Sequence, residues 1–195
     1  MCGRYYVDEE TANEIKRIIN DIDKKLNGVK MGEIKPAQNA LVLTGKKTAL
    51  SAEFMQWGFP RFDNKGLIIN ARAESVKEKR AFKESVMQRR CIIPAAHYFE
   101  WDRSRTKTTL SRCDSGIVYM AGIYQYIQNV ERFVILTTQA NPSVIHIHDR
   151  MPLILEEKEI ERWVYDNELA DYLLRKVPVQ LKTYQEFTQQ CLNFQ

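Results

Sequence analysis

Cys2 directly follows Met1, and an initiator methionine is generally trimmed when the next residue is as small as cysteine. Trimming would leave an α-amine and a thiol on one residue. In unperturbed peptides the amine titrates at about 7.7–8.0 and the thiol at about 8.5, so both are partly nucleophilic near neutrality. Such an aminothiol has a special reaction with aldehydes. The amine condenses to a Schiff base, then the thiolate adds to the imine carbon and closes a thiazolidine ring. An internal cysteine cannot do this, because its nitrogen is tied up in an amide. The plain alternative is a small residue that merely follows the initiator. Cys91, Cys113 and Cys191 form no CxxC pair, so the zinc-ribbon spacing is absent. Cys91 and Cys191 read as small buried hydrophobes. His146 and His148 alternate, so on a strand both would face one side, a pattern that also suits a metal. No third ligand lies at helpful spacing, although His97 could approach through the fold, and neither a metal site nor any other cofactor is expected. Glu100 stands between Phe99 and Trp101 on an apolar stretch, where an exposed edge carboxylate is the ordinary alternative to a reactive one.

These residues need a scaffold, and 195 residues with 44% hydrophobic and 28% charged side chains suit one soluble α+β domain over residues 1–195. The formal charge of +4 permits contact with a phosphate backbone without demanding it. No apolar run is long enough for a membrane span, and MCGRYYVDEE lacks a secretory signal pattern, so a cytoplasmic, monomeric protein is expected. Apolar spacing predicts a helix over 8–28, capped by Asp8 and ended by Gly28. Strands are predicted at 40–57 around a Gly-Lys-Lys turn, at 67–71 and along 91–101, with a polar loop over 102–116. Ser75 and Glu78 have capping-box spacing ahead of a helix through Phe82, Val86 and Met87. IVYMAGIYQYI and ERFVILTTQA read as a hairpin around Gln128-Asn129 that Asn141-Pro142 breaks. Helices follow at 155–166 and 168–176, and VPVQLKTYQEF reads as a closing strand.

MCGRYYV, WGFP, INARAES, RRCIIPAAHYFEW and IHDRMPLIL occur in that order. Together they resemble the SRAP domain, the SOS-response-associated peptidase family that shields abasic sites in single-stranded DNA. The likeness runs from Cys2 to about Leu155 and is weaker at KPAQ and in the C-terminal forty residues. It implies mainly antiparallel strands in a curved or barrel-like sheet with several flanking helices. It also implies a stable DNA–protein cross-link in which the C1′ aldehyde of an opened abasic site is captured by Cys2 as a thiazolidine. The matching site positions are Asn70, Glu100 and His148. An imidazole titrates near neutrality and can protonate O4′ to open the sugar. Glu100 can hold the α-amine or take its proton, and acid and base could be exchanged between the two. Asn70 offers amide donors without adding charge.

For DNA contact the resemblance implies Arg4 and Arg72 on the backbone, with Trp57 and Pro36 pressing on bases beside the lesion. The family often has two adjacent tryptophans where this chain has Gln56-Trp57. Arg150 lies beside His148 and could equally form an internal salt bridge, for instance to Glu74 or Asp149. Lys77, Lys79, Arg80, Lys83, Arg89 and Arg90 suggest a helix whose basic face tracks the strand, or simply a solvated face. The expected partner is single-stranded DNA containing abasic sites, with nucleoid association when bound. A Schiff-base intermediate makes strand cleavage by β-elimination chemically available, with thiazolidine closure competing for the imine. The family name implies autoproteolytic removal of residues before the cysteine, although with only Met1 ahead of Cys2 a generic aminopeptidase could suffice. Two rivals are a thiol peptidase using Cys2 and His148, with Asn70 or Glu100 as orienting group, and a non-covalent single-strand-binding module.

Overall fold

The computed structural model describes residues 2–19, 31–46, 49–63, 65–114 and 116–185. The chain opens with β1 (Tyr5–Val7), α1 (Glu9–Ile19), β2 (Gly32–Ile34) and the hairpin β3 (Asn39–Lys46) and β4 (Ala49–Trp57). Short strands β5 (Phe59–Pro60), β6 (Leu67–Ile68) and β7 (Asn70–Arg72) lead to α2 (Lys83–Gln88), β8 (Arg90–Ala95) and β9 (His97–Trp101). Next come β10 (Lys107–Arg112), the long hairpin β11 (Val118–Ile127) and β12 (Val130–Gln139), then β13 (Arg150–Pro152) and β14 (Ile154–Leu155). Helices α3 (Ile160–Tyr165) and α4 (Asn167–Leu173) precede β15 (Leu181–Gln185).

β3 pairs with β4 and β8, β8 with β11, β11 with β12, and β12 returns to β4, so these strands close a ring. The closing pair is parallel and short, with Arg132 opposite Gln56 and Phe133 opposite Trp57. A second, antiparallel sheet runs β15-β10-β9-β1-β2. Because successive side chains leave a strand on opposite faces, the ring strands feed two cores. Val42, Cys91, Ile93, Met120 and Phe133 join Tyr5, Ile34 and Tyr98 of the second sheet. Leu43, Ile92, Ala121 and Val134 join Ile15, Trp163 and Leu173 of the helices. Covering both faces explains why these strands read as unbroken apolar runs.

The expected barrel-like antiparallel sheet with flanking helices is what forms. Asp8 caps α1 as predicted, its Oδ1 accepting from the Thr11 amide at 2.8 Å. The helix ends at Ile19, and residues 20–28 of its predicted range lie outside the described residues. Gln128 and Asn129 both adopt positive φ, 52° and 63°, the backbone of the two-residue hairpin turn predicted there.

Several boundaries differ. The run 91–101 is two strands, because a break at Ala96 sends β8 to the ring and β9 to the second sheet. The predicted polar loop over 102–116 contains β10, whose buried Thr108 accepts a hydrogen bond from Gln185 Nε2 at 2.8 Å. The basic helix over 77–90 shrinks to α2, whose N-cap is Phe82 rather than Ser75. Arg90 leaves the basic face altogether. It is buried and donates to the carbonyls of Val86, Met87, Trp163 and Val164, satisfying the otherwise orphaned last turns of α2 and α3. The closing strand narrows to β15, with 186–187 outside the described residues.

Candidate active site

Cys2 lies just ahead of β1 and is wholly buried. Its neighbours arrive from two directions. β1 and β9 are antiparallel with Tyr5 opposite Tyr98, and the Phe99 amide donates to the Arg4 carbonyl at 2.9 Å. That register carries Glu100 alongside the residues preceding Arg4. Glu100 is only 4% exposed and β9 is flanked by β1 and β10, so the edge-carboxylate alternative does not hold. From the other direction, β7 pairs in parallel with β12, placing Asn70 opposite Ile135. Asn70 Nδ2 donates to the Cys2 carbonyl at 2.9 Å. Its Oδ1 is buried and unpartnered among the described residues.

The Cys2 thiol donates to the Arg4 carbonyl across 3.8 Å. Burial, with the Glu100 carboxylate in support, pushes its pKa up to about 12. Cys2 therefore rests as a thiol with even less thiolate than a free peptide cysteine, and needs a base or new donors before it can attack.

His148 is not on a strand. Asn141 builds a turn there, its Oδ1 accepting from the Ser143 amide at 3.0 Å and its carbonyl from Val144 at 3.0 Å. His148 Nδ1 accepts from the Arg150 amide at 2.9 Å and lies 2.8 Å from Asp149 Oδ1. The first contact needs a bare Nδ1 and the second a hydrogen on it, so any one placement of the ring hydrogen satisfies one of the two. His148 and Trp101, the neighbour of Glu100, line one cleft of about 880 Å³, with Arg103 and His146 on its walls. His146 is exposed, and His97 is half-buried, stacked on Tyr6 at 4.9 Å with its pKa lowered by burial. The described residues therefore do not gather the histidines into one site.

The proposed DNA contacts divide sharply. Arg72 and Arg80 are exposed. Arg4 reaches Glu33 at 3.2 Å and lies over the Trp101 ring at 5.0 Å. Arg150 is buried, paired with both Glu74 oxygens at 2.7 and 2.8 Å and with the Thr137 carbonyl at 2.6 Å. The internal salt bridge, not a phosphate contact, is its observed role. Trp57 is likewise core rather than wedge. It is fully buried, stacks on Phe133 at 6.1 Å and donates from Nε1 to the Ile69 carbonyl at 3.0 Å. Backbone bonds from Trp57 to Ala37 and Gln38, both 2.9 Å, hold the turn that presents half-buried Pro36. Trp57 thus acts on the site indirectly, steadying the residues beside Pro36 and Asn70.

Asn70→Ala is expected to slow any reaction of Cys2 by about tenfold, the scale of one lost hydrogen bond. The check is the alkylation rate of Cys2 at fixed pH, and an unchanged rate would remove Asn70 from the site. Tyr5 and Tyr98 pack in the same buried cluster as Cys2 and are not among the residues the sequence singles out. The alternation of Tyr98 with Glu100 was the available signal.

A family model described as SOS response associated peptidase (SRAP) matches residues 1–189. The abasic site processing protein YoqW of Bacillus subtilis is 31% identical over 194 residues, covering 89% of this chain and 84% of that protein. The abasic site processing protein YedK of Escherichia coli is 27% identical over 176 residues, covering 84% and 79% respectively. A solved structure from Bacteroides thetaiotaomicron superposes with a TM-score of 0.77 at 23% identity, covering 94% of this chain and 91% of that one. Fold, ordered motifs and the match over nearly the whole length agree that this chain belongs to the SOS response associated peptidase family.

Proposed function

We propose that the chain processes abasic sites in single-stranded DNA by covalent capture on Cys2, once Met1 has been removed. The observation that carries this reading is the Asn70 amide holding the Cys2 carbonyl while buried Glu100 faces the thiol. That arrangement fixes the amine and thiol of one residue beside a carboxylate. His148, in its cleft, protonates O4′ of the abasic sugar as the C1′–O4′ bond breaks, and the C1′ hydroxyl gives its proton to water as it becomes the aldehyde. The α-amine attacks C1′, water leaves, and an imine forms, with Asn70 Oδ1 available to accept from the amine. Glu100 takes the thiol proton, sulfur bonds to the imine carbon, and the C=N electron pair returns to nitrogen as the ring closes. β-Elimination competes for the same imine, and closure drains it.

Exposed Arg72, Lys77, Lys79 and Arg80 supply the positive surface for the phosphates. Phe62 stands fully in solvent beside Arg61, suited to stacking on an unpaired base. A thiol-peptidase reading fits less well, because a carboxylate facing Cys2 raises its thiol where an imidazolium would lower it.

The test is a denaturing gel and intact mass after incubation with a single-stranded oligonucleotide bearing one abasic site. A product that survives denaturation without reductant, and is lost when the N-terminus is acetylated, is expected. Absence of any adduct with the mature wild type would sink the proposal.

A further inference from the structure

Two phenols share the packed core cluster of Cys2 and have no role in the steps above. Tyr5 and Tyr98 face one another across β1 and β9 and are fully buried. Neither hydroxyl has a hydrogen-bond partner among the described residues. A buried hydroxyl without a partner destabilises the resting protein, so a state that supplies one is favoured in comparison. Tyr98 lies two residues from Glu100 on β9, and the two side chains therefore leave the same face. Cys2 belongs to the same packed cluster as both tyrosines. Burial keeps both phenols protonated well above their usual range, and after burial the nearness of the Cys2 sulfur, whose ionised form would repel a phenolate, raises each further. Glu100 comes next for Tyr98, and Cys91 for Tyr5.

The geometry points to Tyr98, assisted by Tyr5, as the hydrogen-bond donor that receives the Cys2 thiolate when ring closure begins. This rests on the capture reading and deepens it. In the resting protein the thiol spends its one proton on the Arg4 carbonyl and needs no donor. When Glu100 takes that proton, the sulfur becomes an anion in a buried site. The groups facing it are then the Glu100 carboxyl, the two phenols and its own α-amine. The phenols keep their protons throughout. They donate to sulfur as negative charge develops and release it as the C–S bond forms, much as preorganised donors serve an oxyanion. Imine formation involves no thiolate and does not need them.

That separation makes the test. Mature wild type, Tyr98→Phe, Tyr5→Phe and the double variant are each mixed with an oligonucleotide carrying one abasic site. Samples are quenched either with borohydride, which traps imine, or with denaturant alone, which leaves the thiazolidine. In Tyr98→Phe, closure is expected to slow by about tenfold, equivalent to one pKa unit on the thiol. The pH midpoint of closure should rise, borohydride-trapped imine should accumulate, and the melting temperature should not fall, because the deleted hydroxyl had no partner. Wild-type closure rates in all three variants would overturn the inference. So would imine formation, closure and melting temperature falling together, the signature of a merely structural hydroxyl. If wild type yields neither product, the capture reading fails instead. Iodoacetamide alkylation of Cys2 then decides the donor role separately: slower in Tyr98→Phe supports it, equal rates reject it.

Discussion

Replacing Cys2 with alanine is expected to lower the yield of denaturation-resistant adduct more than about 10³-fold, the scale on which a removed nucleophile registers. The α-amine survives in this variant, so imine still forms and borohydride still traps it. Without sulfur the imine has no ring to close and hydrolyses back. Noncovalent binding to an intact single strand should persist, because Cys2 is wholly buried and contributes no surface to that contact. The substitution removes one small buried atom and leaves the Cys2 carbonyl that Asn70 holds, so the fold should tolerate it. Gel yield with and without borohydride reads both steps at once. A stable adduct in Cys2→Ala at wild-type yield would transfer the chemistry to another residue.

Glu74→Ala is expected to produce the largest loss of stability. The Arg150 side chain is 10% exposed and that of Glu74 44%, so deleting the carboxylate strands a nearly buried guanidinium. Only the Thr137 carbonyl and hydroxyl would remain beside it. Breaking a buried pair from one side costs about 3–5 kcal/mol, and the exposure of Glu74 keeps the figure near the low end. For a chain of this length about 3 kcal/mol lowers the melting temperature by about 6–12 °C. The effect reaches the site, because the Arg150 amide holds His148 Nδ1.

The pH dependence follows from the same pair. The two-pronged hydrogen bond from Arg150 holds the Glu74 carboxyl below the usual carboxylate range. A depressed folded pKa means the stabilisation is complete above the unfolded value of about 4.3 and fades as pH falls through the folded one. Wild type and Glu74→Ala should therefore differ most near neutrality and converge in acid. Thermal melts across that range check it, and parallel curves would count against the pair.

The candidate site residues were more legible than their surroundings. Cys2, Asn70 and Glu100 carry chemistry in their types and order, and the fold brings all three together. Trp57 was not legible, because a tryptophan beside a turn can face solvent or core. Here both faces of its strand are covered, so the ring turns inward onto Phe133 and Tyr5. Arg150 was ambiguous for a related reason: its choice between phosphate and Glu74 depends on burial that no local spacing encodes. His146 and His148 alternate like strand residues, but the Asn141 side chain wins locally by bonding Ser143 and building a turn. β10 escaped notice because its inward positions, Thr108 and Leu110, alternate polar with apolar and a threonine is not read as core. The Lys77–Arg90 run misled through Arg90, whose buried contacts are to helix carbonyls from a segment about seventy residues away.

The short parallel seam between β4 and β12 has a kinetic meaning. It joins Trp57 to Phe133, residues far apart along the chain, and contacts of such long separation form late and slowly. The same Trp57 ties down Ile69, next to Asn70, so the final zipping of the barrel and the assembly of the candidate site become one event. A newly made or partly unfolded chain would lack the Asn70 amide that holds the Cys2 carbonyl in the folded one. If the proposed capture on Cys2 holds, competence for it should return during refolding with the slowest phase.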